Sequence, residues 1–362
     1  MKTELAVIGA GPAGLCAAIE AAKHGVDVTL IDENQTAGGQ LFKQIHRFFG
    51  SEEHLAGVRG IEIGEMLLGD AEKYKVNVML GTVVWGLFPD GKIGISDGER
   101  VDILEPGKVV VATGALENSL SFPGWTLPNI MGAGAAQTMV NVNRVLPGGK
   151  ALIVGSGNVG LIVAYQLLQA GADVLAVIEA LPRVSGYQVH ASKIVRMGIP
   201  ILTGHTILGA EGHTNVTGAE IARIDESFNT IKGSEFRVDV DLVCIAVGLR
   251  PLSELCWMAG MAFDYLPELS GFVPLHDELM ESSIPGVYVA GDVAGIEEAS
   301  SAMEEGKLAG TAAGISLGKI DKASGEKYLA QAGERLRALR LGPYGDERYE
   351  SKKRIIKKYH AA

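Results

Sequence analysis

The residues of this chain with the most evident chemistry are glycines clustered at a turn. Gly9, Gly11 and Gly14 follow the apolar run 5–8, and Asp32 ends a later apolar run. In a strand–turn–helix unit, such glycines allow a tight turn, close backbone approach to a pyrophosphate, and close packing of helix on strand. The helix N-terminus adds N–H groups and partial positive charge, and the acid accepts hydrogen bonds from ribose hydroxyls. The pattern predicts a dinucleotide site; the alternative is a glycine-rich turn in an α/β protein without a ligand.

The same arrangement occurs a second time. Gly155, Gly157 and Gly160 follow the apolar run 151–154, and Glu179 follows at nearly the same spacing as in the first unit. Two dinucleotide-type sites in one chain favour hydride exchange between a flavin and a nicotinamide. Two alternatives stay open for the second unit, which could be a scaffold without a ligand or could hold another adenine nucleotide.

The acid of the second unit also bears on the choice of nicotinamide. Glu179 would bond a 2′-hydroxyl and repel a 2′-phosphate, which favours NAD over NADP. Arg183 is close enough in the sequence to leave NADP open.

The elements that position these residues follow from the hydrophobic pattern. We predict strands at 5–8, 26–31, 76–80, 108–112, 151–154, 174–178, 243–247 and 287–290, helices through 22, through 169 and over 61–76, and a hairpin turn at Asp90-Gly91. The interleaving predicts an α/β fold in which one nucleotide domain is inserted into the other. The expected parts are a first domain at 1–114, an inserted domain at 115–245, the rest of the first domain at 246–318, and a basic tail at 319–362.

The tail carries a dense group of basic residues: Lys352, Lys353, Arg354, Lys357 and Lys358. A solvated, frayed segment is the expectation, and a docking site for an acidic partner surface is the alternative.

Composition excludes several classes of protein. The net charge of -11 argues against nucleic acid as the main partner, because that partner usually needs a basic face. The three cysteines, Cys16, Cys244 and Cys256, form no C-x-x-C pair and no disulfide framework, which fits a reducing cytoplasmic setting. We expect no signal peptide, because an apolar strand begins at Leu5 and the glycine motif begins at Gly9. We expect no membrane span, because polar residues interrupt the apolar stretch 151–178. The eight histidines show no metal-binding spacing, so no metal is assigned.

The joint order of five motifs resembles the two-dinucleotide-binding-domain flavoproteins of the pyridine nucleotide-disulfide oxidoreductase type, such as thioredoxin reductase. The motifs are 9–14, 38–41, 112–114, 155–160 and 290–292. The resemblance implies two Rossmann-like domains, the second inserted into the first, and the cofactors FAD and NAD(H). The residues that would hold FAD are Gly9, Gly11, Pro12, Ala13, Gly14, Asp32, Glu33, Gly38, Gly39, Gln40, Leu41, Ala112, Thr113, Gly114, Gly291, Asp292 and Ala299. Those for the second nucleotide are Gly155, Gly157, Asn158, Val159, Gly160, Glu179 and Gly248.

By the same resemblance, Asp292 would bond the ribityl chain of FAD; a carboxylate is a good acceptor for hydroxyls. Lys43 could place a cation near the flavin ring and stabilise its anionic reduced form, or it could be a surface lysine. The sequence nominates no general base, because the flavin carries out the chemistry.

The segment 122–137 resembles the nucleotide-binding subunits of opine oxidase, sarcosine oxidase (α subunit), dye-linked L-proline dehydrogenase and hydrogen cyanide synthase. This resemblance implies an oligomeric complex in which a second flavoprotein oxidises an amine or amino acid, with an iron–sulfur protein as a further possible partner. The chain departs from disulfide reductases because it lacks a redox cysteine pair, and it has no cysteine after Cys256 for a cluster of its own.

Three functions follow as hypotheses. The chain could be an NAD(H):acceptor flavin oxidoreductase in its own right. It could be an electron-transfer subunit of an amino-acid-type or polyol-phosphate dehydrogenase, inactive towards the organic substrate without partners. It could also be a scaffold subunit with vestigial sites, although the intact glycine motifs and Asp292 argue against that.

Overall fold

A computed structural model of the protein describes residues 1–48, 51–342 and 345–361. The chain forms two compact units. The first joins Met1–Leu116 to Arg250–Ala362, and the second is Glu117–Leu249. The sequence places the inserted domain at 115–245, a few residues earlier.

The helices and strands follow one another in the alternating order of an α/β protein. The first stretch contains β1 (Lys2–Ile8), α1 (Pro12–Ala22), β2 (Val28–Ile31), α2 (Gly60–Lys73), β3 (Asn77–Met79), β4 (Val83–Leu87), β5 (Ile93–Ser96), β6 (Val101–Val111) and β7 (Ala115–Glu117). The second unit contains β8 (Ile130–Gly132), α3 (Ala133–Asn141), β9 (Lys150–Val154), α4 (Asn158–Gln169), β10 (Asp173–Glu179), α5 (Gln188–Arg196), β11 (Ile201–Thr203), β12 (His205–Gly212), β13 (Val216–Arg223), β14 (Phe236–Val238) and β15 (Leu242–Ile245). The first unit then resumes with β16 (Leu249–Pro251), α6 (Glu254–Met258), β17 (Phe263–Leu266), β18 (Gly271–Pro274), β19 (Val287–Val289), α7 (Ala299–Ser316), α8 (Lys322–Leu339) and α9 (Asp346–Tyr359).

The central sheet of the first unit is parallel, in the order β3-β2-β1-β6-β19, and an antiparallel pair, β5 and β4, continues it beside the start of β6. Ile8 lies opposite both Ile31 and Val111, and Val111 lies opposite Val289. The carboxyl ends of four parallel strands are therefore level, and the loops that follow them meet at one edge of the sheet. Ligands of open α/β sheets bind at this edge.

The second unit repeats this design. Its five-stranded parallel sheet has the order β11-β10-β9-β15-β8, with Val154 opposite both Ile178 and Ile245. A three-stranded antiparallel sheet, β12-β13-β14, packs near it within the same unit. The inner strands of both sheets are apolar and buried, as expected for strands covered on both faces.

The helix α1 packs closely against α7 because small residues line the contact. A Cβ on Gly306 would lie 2.1 Å from the carbonyl oxygen of Ala13, and one on Gly310 would lie 2.3 Å from that of Ala17. Only glycine allows the two backbones to approach this closely. The contact fixes the N-terminus of α1 relative to the loop that precedes α7.

The basic C-terminal segment differs from the expected solvated, frayed tail. α8 and α9 are helices of the first unit, and Lys352 is 1% exposed. Its ammonium donates to Glu305 Oε1 at 2.6 Å and to the carbonyl oxygen of Ala294 at 2.8 Å. The expectation was wrong because a lysine can be buried when a buried carboxylate neutralises it. The other four basic residues of the group are exposed: Lys353, Arg354, Lys357 and Lys358.

The predicted helix ends at Ala22 and Gln169 are confirmed, and Asp90-Gly91 lies between β4 and β5 as a turn. Over the described residues, none of the helices has the length and apolar character needed to cross a bilayer.

Candidate nucleotide-binding sites

The first glycine loop is built so that glycine is required at two of its three positions. Gly9 has φ +101°, and a Cβ there would lie 2.3 Å from the carbonyl oxygen of Ala112. A Cβ on Gly14 would lie 1.8 Å from the carbonyl oxygen of Gly9. These two glycines therefore serve the packing of strand, turn and helix.

Gly11 differs from its neighbours because a Cβ there would point into space free of any described atom within 4 Å. Gly11 is the N-cap of α1, and the first turn of that helix, 12–15, is uncharged. The positive end of the helix dipole and its free N–H groups thus face an open region at the sheet edge. This combination fits a pyrophosphate.

Asp32 is tied to the same loop. One oxygen of its carboxylate accepts the backbone N–H of Ala10 at 2.7 Å, and the other accepts the backbone N–H and the side-chain amide of Asn34, both at 2.8 Å. The side chain is 8% exposed. A carboxylate has about four acceptor positions, so these three bonds leave it capacity for one further donor, such as a ribose hydroxyl.

The glycine pair 38–39 also contacts the first glycine loop. The N–H of Gly38 donates to the carbonyl oxygen of Ala10 at 2.7 Å. A Cβ on Gly39 would lie 2.8 Å from the Cα of Gly11. Both glycines have positive φ, +119° and +54°. The pair therefore forms a second wall beside the open face of Gly11, made of backbone alone.

The turn at 291–292 closes the cluster. A Cβ on Gly291 would lie 2.9 Å from the Cβ of Ala13, so this turn contacts the first turn of α1. Burial raises the pKa of the Asp292 carboxyl to about 7, and the neighbouring carboxylates of Glu305, Glu298 and Glu297 act in the same direction. Asp292 is therefore a carboxyl group near the N-terminus of α1 that changes between its neutral and charged forms near neutral pH.

The remaining predicted flavin residues have different surroundings. Leu41 is fully buried, whereas Glu33 and Gln40 are exposed. Thr113 Oγ1 donates to the carbonyl oxygen of Leu252 at 2.6 Å, which fixes the loop after β6. The others are Pro12 in the first turn of α1, Gly114 with φ +77° after β6, Ala299 at the start of α7, and Lys43 at the end of the short 3-10 helix Gly39–Lys43. Contact of Lys43 with the flavin ring stays a prediction.

The second glycine loop repeats the first in detail. Gly155 has φ +108°, and a Cβ there would lie 2.2 Å from the carbonyl oxygen of Ala246. A Cβ on Gly160 would lie 2.2 Å from the carbonyl oxygen of Gly155, while one on Gly157 would meet no described atom within 4 Å. The carbonyl of Ala246 therefore packs against Gly155 as the carbonyl of Ala112 packs against Gly9 in the first unit. The first turn of α4, 158–161, is again uncharged.

Glu179 is bound more completely than Asp32. Its carboxylate accepts four hydrogen bonds, from the N–H and hydroxyl of Ser156 at 3.0 and 2.6 Å, the hydroxyl of Ser185 at 2.8 Å, and the N–H of Leu181 at 3.0 Å. Burial raises the pKa of Glu179, but these hydrogen bonds outweigh burial, and the pKa is lowered from its usual value. Glu179 is therefore a negative charge beside the second glycine loop.

The two units correspond at one further position, which the sequence did not predict. The N–H of Gly186 donates to the carbonyl oxygen of Ser156 at 2.9 Å, as Gly38 does to Ala10 in the first unit. A Cβ on Gly186 would lie 2.9 Å from the carbonyl carbon of Gly157. Ser185 and Gly186 therefore line the second site. The signal in the sequence is a single glycine after Glu179 at nearly the spacing that separates Asp32 from the glycine pair 38–39.

The other residues predicted for the second nucleotide also lie at this edge. Asn158 Oδ1 accepts the N–H of Tyr187 at 2.8 Å, and Val159 is in the first turn of α4. Gly248, with φ +106°, accepts the N–H of Asn118 at its carbonyl oxygen, 3.0 Å away.

The three cysteines are buried free thiols. Burial raises the pKa of Cys16, Cys244 and Cys256 to about 12 in each case. Within the described ranges, no group of three or more histidine, cysteine or acidic side chains could hold a metal ion.

Comparison with known proteins places these features in a family. The family described as pyridine nucleotide-disulphide oxidoreductase matches residues 3–306. An opine oxidase subunit from Agrobacterium tumefaciens (strain Ach5) is 31% identical over 334 residues, covering 86% of this chain and 65% of that protein. The HcnB subunit of hydrogen cyanide synthase from Pseudomonas aeruginosa is 29% identical, covering 96% of this chain and 79% of that protein. The chain thus spans less than two thirds of the opine oxidase protein.

A solved structure supports the same fold. The crystal structure of T. acidophilum thioredoxin reductase superimposes with a TM-score of 0.72 at 22% identity, covering 87% of this chain and 98% of that one. The predicted resemblance and the predicted fold class, two Rossmann-like domains of the thioredoxin reductase type, are confirmed.

Proposed function

Since the chain belongs to the pyridine nucleotide-disulphide oxidoreductase family, we propose that it is an FAD-dependent oxidoreductase that exchanges electrons between NAD(H) and a partner redox centre. In this proposal it is a cytoplasmic subunit of a multi-subunit dehydrogenase of the amine or amino-acid type.

One observation carries the proposal. Three separate segments meet at the N-terminus of α1 and leave an open face there: Gly39 lies against Gly11, Asp32 is bonded to Ala10, and Gly291 lies against Ala13. Glycine backbone and helix N–H groups suit a pyrophosphate, and carboxylates suit hydroxyls. A ligand with both a pyrophosphate and polyhydroxylated arms fits this set, and FAD is such a ligand.

The residues of the first unit would hold FAD in distinct ways. The N–H groups at the start of α1 would bind the pyrophosphate, Asp32 would accept from the adenosine ribose, and Asp292 from the ribityl chain. When bound, FAD supplies two-electron exchange with a nicotinamide and onward transfer of electrons.

The second unit would hold NAD(H). Gly157 leaves the N-terminus of α4 open, as Gly11 does for α1. Glu179 would disfavour a 2′-phosphate by charge repulsion, so the second site favours NAD over NADP.

The partner is inferred from the relatives. Subunits of opine oxidase and of hydrogen cyanide synthase align over most of this chain. We therefore propose a complex with a second flavoprotein, which would oxidise the organic substrate, and an iron–sulfur protein as a further candidate partner. Because the three thiols are buried and their pKa is raised, reduction of a disulfide is not proposed.

A second candidate function is supported by the bonding of Glu179. Its carboxylate already accepts four hydrogen bonds from its own unit, so a ribose hydroxyl would have to replace one of them. In this alternative Glu179 serves its own loop and does not select NAD(H), the second site holds another adenine nucleotide, and the chain is a nucleotide-binding or electron-transfer subunit that is inactive without partners.

Reconstitution with FAD tests whether this chain binds a flavin. The purified chain, incubated with excess FAD and passed through a desalting column, is expected to retain stoichiometric flavin with a visible absorbance band. An amine or amino acid alone should leave that band unchanged, because oxidation of the organic substrate is assigned to the partner. A colourless chain after reconstitution would contradict the flavin assignment. Direct bleaching by the organic substrate would contradict the assignment of substrate oxidation to the partner.

A further inference from the structure

A cluster of buried charges lies beneath the turn that carries Asp292. Glu305, on α7, is 1% exposed, and its Oε2 accepts the backbone N–H of Gly291 at 2.8 Å. A backbone N–H that donates to a buried carboxylate forms a strong, charge-assisted hydrogen bond. Glu305 therefore fixes the turn 291–292 from within the protein.

Two cations from the C-terminal helices neutralise Glu305. Lys352, on α9, approaches Glu305 Oε1 to 2.6 Å and also donates to the carbonyl oxygen of Ala294, three residues after Gly291. Arg340, at the end of α8, bonds Glu305 as well, and its Nε lies 2.9 Å from Glu297 Oε1. Glu305 and the two cations together therefore contact the segment 291–297 at Gly291, Ala294 and Glu297.

The charges depend on one another because all are buried. Burial alone would raise the pKa of Glu305, but Lys352 and Arg340 outweigh it, and the pKa is lowered. Removing one member of a buried ionic group leaves the remaining charge uncompensated, at a considerable cost. The family match ends at residue 306, so both cations come from outside the matched segment.

We propose that Lys352 and Arg340 are positioning residues of the flavin site, which act through Glu305 to hold the turn of Gly291 and Asp292 and to set the charge on Asp292. This inference rests on the proposed binding of FAD by the first unit. The C-terminal helices are, on this account, a functional part of the flavin domain.

Asp292 faces three carboxylates, Glu297 and Glu298 next to its own segment and Glu305 on α7. Lys352 and Arg340 are linked to Asp292 through their ion pairs with Glu305 and Glu297, and His276 interacts with the same two cations. The carboxylates raise the pKa of Asp292, and the cations offset the carboxylates. Loss of a cation should therefore raise that pKa further, and loss of a carboxylate should lower it.

The test is the dissociation constant of FAD as a function of pH, measured by fluorescence titration of the apoprotein between pH 5.5 and 9. An ionised Asp292 accepts hydrogen bonds from hydroxyls more strongly than a protonated one. FAD affinity should thus be constant at high pH and fall below a break near pH 7, where Asp292 of the apoprotein takes up a proton. Asp292→Asn should remove the break.

Three variants separate positioning from general stability. Lys352→Met should move the break to higher pH and weaken FAD binding severalfold at pH 7, and Lys352→Arg should restore both. Glu305→Gln should move the break to lower pH, since it removes a negative charge. Lys353→Met is the matched control, because Lys353 is the next residue on α9 and is exposed, and it should leave the profile unchanged.

If the cluster had a purely structural role, Lys352→Met and Glu305→Gln would weaken FAD binding at every pH. The pH at which FAD affinity begins to fall would then stay the same. That result, or a break at the same pH in wild type, Lys352→Met and Glu305→Gln, would overturn the inference. If Lys352→Met does not fold by circular dichroism, Glu305→Gln decides alone, and an unshifted break in that variant overturns the inference. Failure of the wild-type chain to bind FAD would instead reject the proposed function.

Discussion

The carboxylate of Asp32 accepts the backbone N–H of Ala10, with 2.7 Å between oxygen and nitrogen. Glu179 and Ser156 repeat this relationship in the second unit at 3.0 Å. In both units the acid at the end of the second strand is bonded to the residue that follows the first glycine. Each acid therefore shapes its glycine loop in addition to any contact with a ribose.

Substitution of Asp32 should affect FAD binding and the loop together. Asp32→Asn replaces acceptor capacity with an amide that faces the donors of Ala10 and Asn34. We expect FAD affinity to fall by about tenfold or more, equivalent to about 1.4 kcal/mol, with a smaller loss of stability. Equilibrium dialysis and thermal denaturation measure the two effects. Asp102→Asn, at an exposed carboxylate on β6, is the control, and an equal loss of FAD affinity in Asp102→Asn and Asp32→Asn would contradict a specific role of Asp32.

The glycines of the first loop should respond differently to alanine. Gly11→Ala places a methyl group in open space, so the apoprotein should fold normally, but FAD affinity should fall by roughly tenfold or more because the methyl group lies where the pyrophosphate approaches. Gly14→Ala creates a clash with the backbone of Gly9 and should destabilise the fold by about 1–3 kcal/mol or more.

Denaturant unfolding of both apoproteins, with FAD titration of each that folds, separates the two effects. Gly333→Ala, within α8 and open to space, is the control and should be neutral or stabilising by up to about 1 kcal/mol. Normal FAD affinity in Gly11→Ala would argue against a pyrophosphate at this face.

Changes at the second acid should alter nucleotide preference. Glu179→Gln removes the charge that repels a 2′-phosphate, so the preference for NADH over NADPH should decrease by about tenfold. Ser185→Ala removes one hydroxyl donor and frees an acceptor position on Glu179, so NADH affinity should be kept or improved. Dissociation constants for both nucleotides, measured by nucleotide fluorescence, test this. Equal affinities for both nucleotides in wild type and in Glu179→Gln would remove Glu179 from the specificity argument.

The cysteines should take no part in electron transfer. Burial raises the pKa of all three thiols to about 12, so the reactive thiolate is scarce at neutral pH. Ellman's reagent should react slowly with the native protein and should titrate all three thiols in denaturant. A fast-reacting thiol whose modification blocks flavin reduction would point to disulfide chemistry.

The sequence predicted those parts of the fold and site that depend on local pattern. The glycine loops, the strand ends at Asp32 and Glu179, and the helix ends at Ala22 and Gln169 follow from residue types at short spacing. These features are encoded within a few turns of chain, where glycine conformation and hydrophobic periodicity decide the structure.

Other parts depend on residues distant in sequence, which no local pattern reveals. Lys352 looks like one member of a solvated basic run, and only its partner Glu305, on another helix, accounts for its burial. Ser185 and Gly186 line the second site although no glycine pair marks them. The hydrogen bonds to Glu179 likewise depend on a contact with Ser156, which is distant in the sequence.

An anaerobic absorbance titration of the FAD-loaded chain with NADH, following the flavin band, tests the central claim most directly. NADH should bleach the band without any partner, NADPH should do so less readily, and Gly157→Ala should impair bleaching while FAD stays bound. A flavin that dithionite reduces but that stays oxidised with both NADH and NADPH would contradict the account, because the second unit would then not deliver electrons from a nicotinamide.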